Sequence, residues 1–272
     1  MVASTLNSGQ VAVTIDDLPF AYGRYLTPER ESECFRAVLA ALKKHHVRVI
    51  GFANGSRIKP YHRVLFDEFV AAGHVLGNHT CTHPDLNKTA IWWYTDDIAK
   101  GQKSIEPWLN GTKYFRYPFL FRGDTPLKRD SVAAYLTRND YTVVPVTIDD
   151  DDWVYNKEYV DTLKAGDRAA AAKIGSEYIE HMKERTHYFD SLAVALTGRE
   201  VGHILLLHMN ELNSIYLDSL LTWFESEDWK CISPQEALID SIYQMPNRYR
   251  GKWGISWLLR IGEQRETGTP PE

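Results

Sequence analysis

The chain has 272 residues, a formal net charge of −5 and 44% hydrophobic content. That is enough apolar material for one sizeable core, and a single α/β domain of this length is ordinary. Lys and Arg are scattered without a basic run, which argues against nucleic acid, no apolar stretch reaches membrane-spanning length, and three cysteines at 34, 81 and 231 make no disulfide framework and leave room for one bridge.

The opening MVASTLNSGQ reads as an extension, residues 1–10, with no basic region followed by an apolar one. A secreted or periplasmic domain written without its leader fits that start, with a cytoplasmic protein as the alternative. Residues 11–15 then read as a buried strand ending at Asp16 and Asp17. Thr27-Pro28 is an N-cap followed by Pro at the first helical position and opens a helix to 44. Strand 47–52 follows, then helix 61–72 stopped by Gly73, then strand 75–77 leading into His79. Helix 89–109, strand 114–116, helix 127–138 and strand 141–148 come next, the last running into four aspartates. Helices 157–164 and 167–183 precede strand 204–207, which ends at His208. Helix 214–225, strand 230–232 and a helix from Ser233-Pro234 to 243 complete the series.

Alternating strands and helices predict a parallel sheet, as a barrel or a doubly wound layer. No internal repeat or linker divides the chain, so 11–243 is predicted to form one catalytic domain. Of the remainder, 244–272, the stretch 254–261 with Ile255, Trp257, Leu258 and Leu259 is too apolar to float and is expected to dock, whereas RETGTPPE is expected to be disordered.

Five polar clusters stand at predicted strand ends: Asp16/Asp17, His79, Arg116, Asp149 to Asp152, and His208. In a parallel barrel that end builds the active site. His79-Thr80-Cys81-Thr82-His83 spaces two imidazoles four residues apart, so a helix-like turn would let them share a metal, against the alternative of two surface histidines. Asp16 and Asp17 can divide two tasks, one binding metal and one accepting a proton, or form an ordinary turn. Arg116 in Arg116-Tyr117-Pro118-Phe119 can hold a carboxylate, catalytic or structural. His208 is either a satisfied core histidine or, with an aspartate on its other nitrogen, a poised acid. The aspartate run can supply that partner, and a solvated loop or a calcium site are the alternatives. Cys81 reads as a small buried side chain, with a thiolate ligand as the alternative.

Together Thr14-Ile15-Asp16-Asp17, His79-Thr80-Cys81-Thr82-His83, Arg116-Tyr117-Pro118-Phe119, Asp149-x-x-Asp152-Trp153 and Leu205-x-x-His208 resemble the motifs of the polysaccharide deacetylase family (NodB homology, carbohydrate esterase family 4), in order across about 11–243. The resemblance implies an α/β fold, a distorted (β/α) barrel of about seven parallel strands. It implies one divalent metal ion, Zn2+ with Co2+, Ni2+ or Mn2+ as alternatives, bound by Asp17, His79 and His83. It makes Asp16 the base, Arg116 the residue orienting it, the Phe119 backbone N–H part of an oxyanion hole, and His208 the acid. Asp152 is its first candidate partner and Asp149 its second. Trp153 and Leu206 would wall the pocket for the acetyl methyl. The family often has Gly where Leu18-Pro19 stands and Tyr where Phe119 stands, which bears on the groove rim more than on the chemistry. Asn210-Glu211-Leu212-Asn213 lies outside the motifs.

The expected activity is removal of acetyl groups from an acetylated oligo- or polysaccharide, N-acetyl groups of chitin- or peptidoglycan-type amino sugars first. Amine departure needs a proton donor such as His208. An O-acetyl xylan esterase is the first alternative, and a non-catalytic metal- and carbohydrate-binding protein the second. Trp92, Trp93 and Tyr94 either reach the rim as sugar platforms or begin a helix and pack inward.

Overall fold

The computed structural model describes residues 9–21, 25–109 and 111–262. Its central strand is β1 (Gln10–Leu18), with side chains that alternate between two apolar layers. Val11, Val13 and Ile15 face the large cluster between sheet and helices, while Ala12 faces a smaller one with Ile50, Phe52, Tyr114, Val144 and Ile204. A strand covered on both faces requires a near-continuous apolar run, which 11–15 supplies.

The other strands are β2 (Ile50–Ala53), β3 (Val75–Asn78), β4 (Lys113–Phe115), β5 (Tyr141–Val143), β6 (Gly202–His208) and β7 (Lys230–Cys231). Among the described residues they form a seven-stranded sheet in the order β5-β4-β3-β2-β1-β6, with β7 paired to the start of β1. Every pairing is parallel.

The predicted strand 141–148 is corrected to the three residues of β5 followed by a crossing segment. Val144 N–H bonds to Phe115 O on the β4 side, whereas Thr147 and Ile148 N–H bond to Ile204 O on β6. Pro145 between them has no N–H to give a ladder, so a regular strand breaks there. The segment joins the two edges of the sheet and closes a distorted barrel. The carboxyl ends of the strands therefore share one mouth.

Helices α1 (Pro28–Lys44), α2 (His62–Ala71), α3 (Ile91–Ile105), α4 (Pro126–Arg138), α5 (Asp152–Lys164), α6 (Arg168–Thr197), α7 (Glu211–Ser226), α8 (Pro234–Ala237) and α9 (Trp257–Ile261) surround the sheet. The Thr27 hydroxyl caps α1 by accepting Arg30 N–H, and Ser233 with Glu236 forms a capping box on α8. Several boundaries differ from expectation, three of them with a clear local cause. α5 begins at Asp152 instead of 157, because Asp152 is pinned by the site described below. α6 runs past 183 to Thr197, its inward stripe continuing through Thr186, Phe189 and Ala193. The helix expected over 233–243 stops at Ala237, and Asp240 accepts Ile242 N–H to cap a separate 3-10 turn, Ser241–Gln244.

The segment around α9 docks as expected: Trp257, Leu258 and Ile261 are buried against the main cluster. RETGTPPE and most of the opening extension lie outside the described residues. Cys34, Cys81 and Cys231 are free thiols. No helix among the described residues is long and apolar enough to cross a membrane.

Candidate active site

Asp16 and Asp17 lie inside the last turn of pleat of β1, not beyond it. Regular alternation would send them to opposite faces. The β1–β2 register shifts between Ile15 and Leu18, and Asp17 takes a left-handed φ of 65°. This bulge turns both carboxylates toward His79, whose Nε2 is 3.7 Å from Asp16 Oδ2 and 3.9 Å from Asp17 Oδ1.

The histidine motif forms a bent loop rather than a helical turn, with Thr80 and His83 at φ of 66° and 59°. Short polar bonds fix that shape. Asn78 Oδ1 accepts Thr80 N–H at 2.8 Å, Thr80 Oγ1 accepts His83 N–H at 3.0 Å, and the Asp97 carboxylate accepts Cys81 and Thr82 N–H at 3.0 and 2.9 Å. Gly101 on α3 permits the close approach, since a Cβ there would stand 2.5 Å from both Asn78 Oδ1 and the Thr80 carbonyl carbon. The result faces His83 Nε2 to Asp17 Oδ1 at 3.6 Å.

Asp17, His79 and His83 thus offer three ligand atoms within 4.8 Å of one another. His79 Nδ1 is engaged by Arg116 O at 2.9 Å, which leaves Nε2 for the shared centre. Burial lowers the pKa of both imidazoles, holding them neutral. Burial alone would raise the Asp17 carboxyl, but the attraction of His83 and His79 for it whenever either ring is protonated, and the fixed charge of Arg57, more than offset it and hold the group well below the usual carboxylate range. Two neutral imidazoles and an ionised carboxylate are the donor set and protonation state that a divalent transition ion takes.

Arg116 crosses beneath Asp16 and is wholly buried. It donates from one terminal nitrogen to Asp16 Oδ1 at 3.2 Å and from the other to Thr14 Oγ1 at 2.9 Å, over the face of Phe52. Burial raises the Asp16 pKa to about 6, against the lowering effect of Arg116. Arg116 occupies Oδ1, so Oδ2 is the oxygen turned to His79.

His208 closes β6. Its Nδ1 lies 2.5 Å from Asp152 Oδ1, and its backbone N–H donates to Asp152 Oδ2 at 2.9 Å. Burial would lower its pKa, but Asp152, then Asp17 and Asp16, raise it to about 10. Asp152 also accepts from Asn210 at 3.1 Å and Asn213 at 2.7 Å. Of the alternatives for 149–152, a wholly solvated loop does not fit: Asp150 and Asp152 are buried, although Asp151 is exposed. Asp150 Oδ1 accepts Asp152 N–H at 3.0 Å, and burial pushes its carboxyl well above the ordinary value. Asp149 is not the partner of His208 in this geometry. Its carbonyl accepts Arg185 Nε at 3.0 Å, while burial and Asp151 raise its carboxyl to about 6.

Phe119 and Leu120 stand in a 3-10 turn, Pro118–Leu120, and the Phe119 ring meets His83 edge-on at 4.5 Å between centroids. Leu206 is buried on β6, and Trp153 is 43% exposed on the first turn of α5. The aromatic trio divides: Tyr94 packs inward, while Trp92 and Trp93 are exposed.

Several residues of the site escaped sequence reasoning. Asn54, fully buried after β2, donates to Asp17 Oδ1 at 2.5 Å, and Arg57 lies 3.1 Å from Asp17 Oδ2. Asn210 caps α7 while reaching Asp152, which gives the unassigned Asn210–Asn213 stretch its task.

A family model described as polysaccharide deacetylase matches residues 3–136. A peptidoglycan-N-acetylglucosamine deacetylase of Bacillus cereus is 26% identical over 148 residues, 54% of this chain and 47% of that protein. One of Listeria monocytogenes is 24% identical over 235 residues, 86% of this chain and 39% of that protein. The chain therefore spans less than half the length of these two curated relatives. Among solved structures, a CE4 family pseudoenzyme from Bacillus anthracis superposes with a TM-score of 0.58 at 20% identity, covering 85% of this chain and 66% of that one. A peptidoglycan N-acetylglucosamine deacetylase gives a TM-score of 0.57 at 18% identity, covering 85% and 88%. At such identities the structural likeness concerns the fold.

Proposed function

The chain belongs to the polysaccharide deacetylase family, and from that premise we propose that it is a metal-dependent hydrolase releasing acetate from N-acetylated amino-sugar glycans of chitin or peptidoglycan type. The observation that carries the reading is the pairing of two differently tuned groups beside one candidate metal centre. Asp16 is backed by Arg116, and His208 is backed by Asp152.

A divalent ion, Zn2+ first among the candidates, held by Asp17, His79 and His83 would supply Lewis acidity to the acetyl carbonyl and to the attacking water. Asp16, ionised, takes the proton from that water, with Arg116 fixing Oδ1 so that Oδ2 faces the reaction. His208, held cationic by Asp152, gives its Nε2 proton to the departing amine. The Phe119 N–H donates to the oxygen on which negative charge develops. Leu206 and Trp153 bound the space for the acetyl methyl.

The preference for amide over ester rests on His208, since an amine leaves only when protonated. The curated relatives named above act on N-acetylglucosamine in peptidoglycan, which supports the same choice. The test is acetate release from N-acetylated chito-oligosaccharides, peptidoglycan and acetylated xylan, with and without chelator. Chelator-sensitive release from the amino sugars is expected. A preference for xylan above about tenfold in kcat/KM would overturn the substrate and keep the chemistry. Metal and glycan binding with no release from any substrate would favour a non-catalytic binding protein, such as the pseudoenzyme fold-mate invites. The family origin of these substrates also makes a secreted or periplasmic location our proposal.

A further inference from the structure

Phe119 and Leu120 hold consecutive left-handed conformations, φ 56° and 54°. Two adjacent non-glycine residues there are strained, and such a turn persists only where its surroundings over-determine it. The surroundings are residues 252–260. Gly254 approaches so closely that any Cβ would fall inside the contact distance of Phe119 O. Arg260, buried, donates one terminal nitrogen to Leu120 O at 2.8 Å and to Trp253 O at 3.0 Å, and Nε to Ile255 O at 3.2 Å. Among the described residues no carboxylate pairs with it. A buried cation spent on backbone carbonyls is costly, and here its donors join the 253–255 backbone to that of the turn.

The bracing segment is itself anchored to the barrel. Trp257 N–H bonds to Val146 O at 2.5 Å and Ser256 Oγ donates to Thr147 O at 2.7 Å, both on the crossing segment. Asn87, in the loop beyond His83, donates to Lys252 O at 2.8 Å. One stretch of chain thus ties together the Phe119 turn, the seam of the barrel and the loop that leaves the histidine motif.

We propose that residues 252–260, through Arg260 and Gly254, are a positioning element of the active site that holds the Phe119 N–H and ring in place beside His83. The catalytic consequence rests on the hydrolase reading; the brace itself does not. The experiment compares wild type with Arg260→Met, Arg260→Lys and Gly254→Ala in the full chain. Hydrogen–deuterium exchange is followed over 117–121 and 79–83, with metal content, kcat and KM on a chito-oligosaccharide. In Arg260→Met, exchange over 117–121 should accelerate by about tenfold while 79–83 keeps its protection. Its kcat should fall by about tenfold or more, with KM within about twofold and metal content unchanged, because only the oriented donor is lost. Arg260→Lys should recover part of both, and Gly254→Ala should act in the same direction as Arg260→Met. Unchanged exchange over 117–121 in both Arg260→Met and Gly254→Ala would overturn the proposal, and so would a lower melting temperature with unaltered kcat. If wild type releases no acetate, the hydrolase reading fails, and the exchange measurement still decides the brace.

Discussion

Asp16 and His208 are register partners on the neighbouring parallel strands β1 and β6. One backbone ladder therefore sets the spacing of the proposed base and the proposed acid, and each is then tuned by a different buried partner. For His208 the tuning has a definite sign. Asp152 and the site carboxylates stabilise the imidazolium against burial and raise its pKa from 6.5 to about 10. The cation, and any step needing it, persists at neutral pH and is lost as pH rises through about 10. Stability follows the same sign: the contribution of His208 is complete below pH 6.5 and disappears as pH passes its folded-state value. Asp152→Asn removes the largest raising influence, so the high-pH limb of kcat should move to lower pH. A limb that stays in place in this variant would show that His208 is not the acid.

The candidate metal centre predicts a ligand-dependent stability. Wild type should gain thermal stability with added Zn2+, by about 2.7 kcal/mol at a free concentration one hundred times Kd. His83→Ala and Asp17→Ala should lose that response and their bound metal, measured by elemental analysis, while keeping the far-ultraviolet circular dichroism of wild type. A zinc-dependent shift retained in both variants would place the ion elsewhere.

Most of the strand ends were legible in the sequence because each couples a short apolar run to an abrupt polar residue, as at Ile15-Asp16 and Leu207-His208. The convergence of Asp17, His79 and His83 was legible only through their joint order, because it depends on a bulge and two left-handed loop residues that no local pattern announces. Asn54 and Asn213 were invisible for a different reason. Each acts on a carboxylate far along the chain, and an isolated asparagine in sequence reads as turn or cap. The apolar character of 254–261 showed that it docks, but its target, the Phe119 turn, follows from tertiary packing of Gly254 and Arg260. The buried state of Asp150 and Asp152 likewise comes from the start of α5 beneath the mouth and from no feature of the aspartate run itself.

Asn54 makes a sharper test of the metal centre than the ligands do. Its side-chain N–H holds Asp17 Oδ1, the oxygen nearest both histidines. Partners that orient a ligand without touching the ion typically contribute about 10- to 100-fold in affinity. Asn54→Ala should weaken zinc affinity within that range, read by competition with a chromogenic chelator, and kcat at saturating metal should change far less than affinity. Unaltered affinity would show that the bulge alone orients Asp17.

The last prediction separates stability from chemistry at the Arg116–Asp16 pair. The two groups are buried together at 3.2 Å, and the second arm of Arg116 is fixed by Thr14. Removing one member of a buried pair leaves the other charged and uncompensated, at a cost of about 3–5 kcal/mol, whereas removing both is often near neutral. Arg116→Met should therefore be strongly destabilised in urea unfolding measured with chelator present. Asp16→Asn should be affected less, because an amide oxygen still accepts from the guanidinium. The double variant Asp16→Asn/Arg116→Met should recover most of the loss. Turnover should behave otherwise: with its base gone, the double variant stays at least about 10²-fold below wild type, and restored folding does nothing for it. A double variant as unstable as Arg116→Met would mean that Arg116 stabilises through Phe52 and Thr14 instead of through Asp16. Near wild-type turnover in Asp16→Asn would remove Asp16 from the proposed mechanism altogether.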